Sequence, residues 1–514
     1  MTNAELIARN EELEQQVLLL TQQLDYLKRQ LFGRKSEQLD HPELFGPSAE
    51  TEPGKGEFSG DAAASEDEDK AAADEKTRRR RKLRKERLPE NLPVITEEVI
   101  PAYVAADLSA WHQSGFEECW QLEKEPGYYY LRHIKRLKFV PLDNPFAPPV
   151  IEPAKPTLIP GGFWGSGILA EVLANKYLYH IPFYRQHILN LHRYNVDLSE
   201  STMGDAADKI ADGLAPLITR MKAGMLDGGV VCADETYIRY LDRIAQGGSS
   251  RGYFWVYRGL YGDVIFDWQT TREHRHVVDW LGNNFEGTLL SDGYEAYERY
   301  CELQRLLGKK VRRAACLAHI RRKFKEALGE RPAVVRWILK IIARLYRTET
   351  MLRLHAASPE VRARVRQNNS APLIRLLGRA FKHLRTTVIL PKSRLGQALN
   401  YALGQWQAMQ TFLEDGRIDI DNNRTENDIR PSAVGKKNWL FIGHPDAGRR
   451  AAILYTLLIS ARNHGVDPQA YLRDVIERMP SATPADLDAL LPANWAAAHR
   501  ATHPAAKPDR KKVA

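Results

Sequence analysis

Cysteine is scarce in this sequence. Cys119, Cys232, Cys301 and Cys316 are the four present in 514 residues, and none stands in a C-x-x-C pair. That spacing gives no support to a disulfide framework and little to a cysteine-rich zinc site. Long apolar runs are missing too. No stretch approaches the roughly 18 uncharged apolar residues of a membrane span. The opening MTNAELIARNEELEQQ is polar and helical in pattern, unlike a signal peptide. Nor is there a dominant charge of one sign: 74 Lys and Arg face 65 Asp and Glu, leaving a net charge of +9. Such a balance suits a polyanionic partner without identifying it. The expectation is a soluble cytoplasmic protein of bacterial style, long enough for several domains, with no membrane association.

What is present begins with a zipper. Leu6, Leu13, Leu20 and Leu27 fall at d of a heptad, with Val17, Leu24 and Leu31 at a and Asn10 at an earlier a. Leucine at d with one polar a residue favours a parallel two-stranded coiled coil. Residues 1–40 are therefore read as a self-associating helix, giving a dimer or higher homo-oligomer. Residues 41–89 are read as a disordered linker, rich in Glu, Asp, Ala, Gly and Ser over 44–76 and closed by a basic run. Eight of the ten residues from Arg78 to Arg87 are basic: Arg78, Arg79, Arg80, Arg81, Lys82, Arg84, Lys85 and Arg87. The run is either a solvated tail or an arm that contacts DNA phosphates. Residues 90–160 carry short strand-like pieces and a proline-rich boundary, a small β-containing module with a linker.

Residues 161–224 read as helical. Residues 181–193, IPFYRQHILNLHR, show an apolar face at Phe183, Ile188, Leu189 and Leu191, and Ser199 or Ser201 can cap the next helix. Two short helices across a brief turn match a helix-turn-helix, with an ordinary helical hairpin as the alternative. Tyr184, Arg185, Gln186, His192 and Arg193 are its expected exposed residues, and Ser201, Thr202 and Met203 could add contacts.

From Gly228 the pattern changes to strands. GVVCADETYIRYLD, GYFWVYRGL and DVIFDWQ read as three antiparallel strands. They are followed by helix 272–281, strand 287–294, helix 295–306, and a strand running into a helix at about His319. The order β-β-β-α-β-α-β-α is that of a ribonuclease H-like domain. Residues 225–324 are its first part, 325–417 a helical insertion, 418–480 the remainder and 481–514 a tail. The predicted fold is thus multidomain α/β: a ribonuclease H-like catalytic core with a helical insertion, preceded by an N-terminal coiled coil and a helical DNA-binding module.

In that order Asp234 lies inside the first strand and Asp292 at the C-terminal end of the fourth, where open α/β sheets hold ligands. Carboxylates brought together there repel unless a cation neutralises them. Mg2+ or Mn2+ is the expected ion, because both take hard oxygen ligands. The third segment is GRIDIDNNRTENDIRPSAVGKKNWLF. Glu426 is its best candidate acid, with Asp419, Asp421 and Asp428 as competitors, and Pro431 is expected to bound the first helical piece. Arg424, Arg430, Lys436 and Lys437 are dense enough to line a phosphate path, and Asn438 and Trp439 could position a sugar or base.

These residues resemble the insertion-sequence 66 family of bacterial transposases. The resemblance covers nearly the whole chain. It is carried by the zipper followed by LFGRKSE, DET around Asp234, SDGY around Asp292, CLAHIRRKF, and above all IDNNRTENDIRPSAVGKKNWLF. It implies a DDE transposase with Asp234, Asp292 and Glu426 as catalytic acids and metal ligands. His319, Arg322 and Lys323 would support the site or touch DNA. The implied chemistry uses two ions of Mg2+ or Mn2+ to cut the ends of element DNA and transfer the 3′-hydroxyl into target DNA. The implied partners are double-stranded DNA, as terminal inverted repeats and target, and element-encoded accessory proteins. Many relatives carry a cysteine zinc finger where only Cys119 stands here, so no zinc is expected. ENDIRP departs from the usual Arg after the Glu, and GHPDAG from the usual glycine-serine turn. The alternatives are a ribonuclease H-like nuclease without strand transfer and a non-catalytic coiled-coil DNA-binding regulator.

Overall fold

A computed structural model describes Tyr129, residues 138–139, 150–151, 155–242, 248–387 and 389–502. The zipper, the basic run at 78–87 and the last twelve residues lie outside these described residues. Of the 90–160 module, a two-residue antiparallel ladder is described, Lys138–Phe139 with Val150–Ile151.

Three helices come first: α1 (Ser166–Tyr177), α2 (Phe183–Tyr194) and α3 (Glu200–Asp227). Asn195 ends α2 in the left-handed conformation, which its short polar side chain tolerates. Ser199 caps α3 by accepting the Thr202 N–H at 3.2 Å. The apolar face expected to anchor α2 points outward instead: Ile188, Leu189 and Leu191 are exposed. Gln186, expected on the surface, is buried and donates to the carbonyls of Val172 and Ile181 at 3.1 and 2.9 Å. Its amide satisfies two backbone acceptors that the α1–α2 corner would otherwise strand without water. Met203 is fully buried as well.

The sheet follows. β1 (Val230–Leu241), β2 (Ser249–Gly259) and β3 (Val264–Gln269) form an antiparallel meander. After α4 (Arg275–Leu281) come β4 (Gly287–Ser291), α5 (Glu295–Leu306) and β5 (Val311–Ala315), then α6 (Leu317–Glu326). Strand order is β3-β2-β1-β4-β5, with β4 parallel to β1 and β5 parallel to β4. Helices flank this mixed sheet, an arrangement consistent with a ribonuclease H-like core. In β4, Thr288 to Ser291 are all buried, as a central parallel strand covered on both faces requires.

β1 has two partners along one edge. Val230–Cys232 pair with β4, whereas Arg239 and Tyr240 pair with the short β6 (Phe441–Ile442). The gap between them is where Asp234 lies and where α11 (Asn423–Trp439) comes alongside. This helix runs through Pro431 rather than stopping there. The proline removes one N–H from the ladder, and packing of Ile429, Ser432 and Gly435 holds the remainder. Helix α12 (Pro445–Asn463) is buried from Ala451 to Ala461 on every side, as its largely apolar sequence demands, with Thr456 and Ser460 accepting N–H groups of β3. α13 (Pro468–Arg478) then packs on α1, and α14 (Leu487–Leu490) and α15 (Pro492–Thr502) complete the described chain.

Between α6 and α11 lie α7 (Pro332–Leu354), α8 (Pro359–Val365), α9 (Ala371–Thr386), α10 (Arg394–Gly404) and a 3-10 turn (Ala408–Leu413). Ile338, Ile342, Phe381 and Leu399 from this segment share one apolar cluster with Val230, Leu290 and Ala314 of the sheet. The segment is built onto the β5 side of the sheet. No helix among the described residues is long and apolar enough to cross a membrane.

Candidate active site

The backbone knits the acid-bearing segments together. Cys316, at the N-cap of α6, donates its N–H to the carbonyl of Ser291, the residue before Asp292, at 3.1 Å. Asn422, at the N-cap of α11, donates its N–H to Cys316 Sγ at 3.2 Å and its amide to the Ala233 carbonyl, next to Asp234, at 2.9 Å. Its own carbonyl accepts the Glu426 N–H at 3.1 Å. One buried asparagine thereby ties β1, α6 and α11. The N-termini of two helices abut, and their unpaired N–H groups favour negative charge.

Each acid has a distinct environment. The Asp234 carboxylate accepts the Glu235 N–H at 2.8 Å. Burial, followed by the charges of Glu235, Asp292 and Glu426, pushes its pKa well above the usual carboxylate range. Asp292 accepts the Tyr294 N–H at 2.9 Å, and its carbonyl accepts from Arg313 at 2.6 Å. The next residue, Gly293, donates to Tyr401 Oη at 3.1 Å. A Cβ there would collide with the Tyr401 ring, so the glycine admits α10 to the loop. Glu426 is raised by burial, against the pull of Arg322, with Asp421 and Asp292 adding to the rise.

The competing acids are engaged elsewhere. Asp428 is buried against Arg258 and Asn463, whose amide reaches it at 3.0 Å. Asp419 faces Arg362 at 3.1 Å and Arg424 at 3.5 Å, and Asp421 caps the turn through Asn423. Glu235, which the sequence did not single out, is almost fully buried. It accepts Tyr297 Oη at 2.6 Å and Arg272 Nε at 3.0 Å.

Among the described residues, one cluster of three groups has the spacing of a metal site: Cys316, His319 and Glu426, with ligand atoms all within 4.8 Å of one another. His319 Nδ1 stands 3.7 Å from Glu426 Oε1, and both atoms are buried without a hydrogen-bond partner. Two orphaned buried acceptors facing one another are what a cation between them would satisfy. Burial, then Arg322, lower the His319 pKa and so favour the neutral imidazole that a metal ligand needs. Sulfur, nitrogen and one carboxylate oxygen suit zinc far better than a hard-oxygen ion. The expectation of paired Mg2+ or Mn2+ without zinc is therefore corrected. The signal was the C-x-x-H spacing of Cys316 and His319 at a helix start, which a search for C-x-x-C passes over.

The basic candidates divide into groups. Arg322 lies 3.9 Å from Glu426, and Lys323 follows on the same helix. Arg430 and Lys437 are exposed along α11, and Lys436 is half-buried. Arg185 donates to Asn438 at 3.1 Å, which joins the start of α2 to the end of α11, while His192 and Arg193 are exposed further along α2. Trp439 folds over Gly435 and packs on the core.

A mixed α/β sheet with buried acids beside a parallel strand end marks the class of protein. The particular family follows from comparison. Residues 161–450 match the Transposase IS66 family, 456–493 the IS66 C-terminal element, and 19–96 a segment described as Transposase C of IS166 homeodomain. The chain belongs to the IS66 transposase family. It is similar to three curated proteins of Sinorhizobium fredii (strain NBRC 101917 / NGR234). Uncharacterized protein y4jD is 32% identical over 363 residues, 67% of this chain and 69% of that protein. Uncharacterized protein y4qI is 30% identical over 414 residues, 78% and 75% of the two chains. Uncharacterized protein y4hP is 28% identical over 364 residues, 67% and 64%.

Proposed function

We propose that this protein cuts the ends of insertion-element DNA and joins the freed 3′-hydroxyl to target DNA, with Asp234, Asp292 and Glu426 as the acids of the reacting centre on a ribonuclease H-like core. One observation carries the reading: acids from β1, the end of β4 and the start of α11 share a single electrostatic site, with Asp292 and Glu426 both raising the Asp234 carboxyl. Double-stranded DNA as partner, assembly through residues 1–40 and action in the bacterial cytoplasm belong to the same proposal.

The chemistry is phosphodiester exchange. A water oxygen forms the new bond to phosphorus, the bond to the 3′-oxygen breaks, and that oxygen takes up a proton. In joining, the 3′-hydroxyl replaces water as the nucleophile. Asp234 can take the nucleophile's proton on the oxygen not occupied by the Glu235 N–H, because its surroundings favour the protonated form. Asp292 is fixed by the Tyr294 N–H and Arg313 at its turn, which orients it without a flexible stem. Arg322, about a third exposed beside Glu426, is available to bind the phosphate. A cation held by Cys316, His319 and Glu426 would supply Lewis acidity at the phosphate.

Glu426 belongs to both the acid site and the metal cluster, so its removal tests the two together. Glu426→Gln should lose DNA cutting by at least about a hundredfold and lower the zinc content of the purified protein, with DNA binding retained. Normal cutting by this variant would contradict the assignment.

A further inference from the structure

We propose that Tyr237, Arg239, Arg251 and Lys436 form a preorganised phosphate clamp that grips one DNA strand beside the acidic centre; the inference rests on the function proposed above. Tyr237 is three residues past Asp234 on β1 and half exposed; strand alternation puts it on the face of Glu235, beyond the part that Tyr297 of α5 covers. Its ring carries Lys436 Nζ at 4.0 Å and the Arg251 guanidinium at 5.3 Å. Lys436 also donates to the Tyr237 carbonyl at 2.8 Å. On the adjacent strand, Arg251 stands directly opposite Arg239 in the antiparallel register, and both are exposed. Like charges facing across a strand pair are destabilising.

Among the described residues, the partners of these cations are not carboxylates. They are a ring face, a backbone carbonyl and, for Arg239, the Ser249 hydroxyl at 3.2 Å. Lys436 is partly withdrawn from water, which disfavours its charge. Two cations over one aromatic ring, with a third directly across the strand pair, make sense at such cost when an anion completes them.

The anion this surface fits is a nucleic-acid backbone. It continues from the acidic centre along β1 and α11. Three residues of strand at about 3.3 Å each put the Tyr237 backbone roughly 10 Å along β1 from that of Asp234, with the two side chains on opposite faces. That distance is about three steps of a DNA strand, which rises roughly 3.4 Å per phosphate. A strand whose phosphate lies at the acids therefore meets the clamp a few nucleotides away by passing over the β1 edge, where Lys436 of α11 reaches Tyr237.

The test uses the full chain carrying Asp234→Asn, so that bound DNA stays uncut, and a random-sequence duplex titrated over a range of NaCl concentrations. Arg251→Gln and Lys436→Gln are each expected to lower the slope of log affinity against log salt by about 1. Tyr237→Phe keeps the ring and should leave slope and affinity unchanged, whereas Tyr237→Leu weakens binding several-fold. Unchanged slopes in both charge variants, equal behaviour of Phe and Leu at 237, or no binding of the duplex would each overturn the clamp. If the slopes fall as expected but the chain without Asp234→Asn never cuts DNA, the proposed function fails while the clamp stands. If that chain cuts DNA and the slopes do not move, the clamp alone fails.

Discussion

Asp234→Asn should abolish DNA cutting and, without added cation, raise the thermal stability of the protein. The first effect follows from the position of the carboxylate. Loss of one preorganised charged group at a reacting centre typically costs about 10²–10³-fold, and in the proposed site Asp234 is the acid that Asp292 and Glu426 both act upon, after Glu235. The second follows from burial. An acid whose folded pKa is raised costs nothing at low pH, where folded and unfolded chains are both protonated. As pH rises through the usual carboxylate range, the unfolded chain ionises first and folding loses stability. The loss is complete once pH passes the raised folded value. Asparagine keeps the acceptor for the Glu235 N–H and removes that charge. In chelator at neutral pH the variant is expected to unfold a few degrees higher by calorimetry, with the advantage disappearing at acid pH. A variant that still cuts, or that unfolds lower in chelator, would contradict this account of the site.

The second large effect is on the fold. Arg366 is fully buried and nearly all its donors are used: Nε and Nη2 reach Glu349 at 2.7 and 2.8 Å, while Nη1 reaches the carbonyls of Phe412 and Asp415. Arg362 extends the network from Glu349 to Asp419, just ahead of the Asn422 cap. Glu349→Ala leaves a guanidinium buried without its counter-charge, which costs about 3–5 kcal/mol. At roughly 2–4 °C per kcal/mol for a large domain, the melting temperature should fall on the order of 10 °C. Replacing both partners, Glu349→Leu with Arg366→Met, should recover much of that loss, since an apolar pair of similar size can match a buried ion pair. If the double variant melts no higher than Glu349→Ala, the penalty lies in lost packing rather than in the unpaired charge.

Much of the core was legible in the sequence because its signals are local. The β1 alternation, the short Thr-Leu-Leu-Ser run of β4 and the helix at 295–306 each follow from the residue pattern, and the parallel β1–β4 pairing brings Asp234 and Asp292 together. Other features depend on contacts far apart in the chain. Nothing near Gln186 announces that it will serve the carbonyls of Val172 and Ile181, so α2 was expected to bury the opposite face. Helix α11 was expected to stop at Pro431, but the β1 edge and α12 hold it beyond a missing hydrogen bond. The insertion reads as a separate body, yet its leucines and isoleucines complete the apolar layer under the sheet. Glu235 needed the fold to show its partners, Tyr297 and Arg272. The metal cluster was missed for a chemical reason: two of its ligands lie one helical turn apart in C-x-x-H, and the third comes from α11 across the insertion.

The central claim is that one acidic site both cuts DNA and joins it through a 3′-hydroxyl. It is tested most directly by giving the full chain a precut duplex end and a supercoiled plasmid, and measuring covalent joining on a denaturing gel. Joining is predicted with a 3′-hydroxyl end, and none with a 3′-dideoxy end or with Asp292→Asn. Joining of the dideoxy end, or undiminished joining by Asp292→Asn, would contradict it.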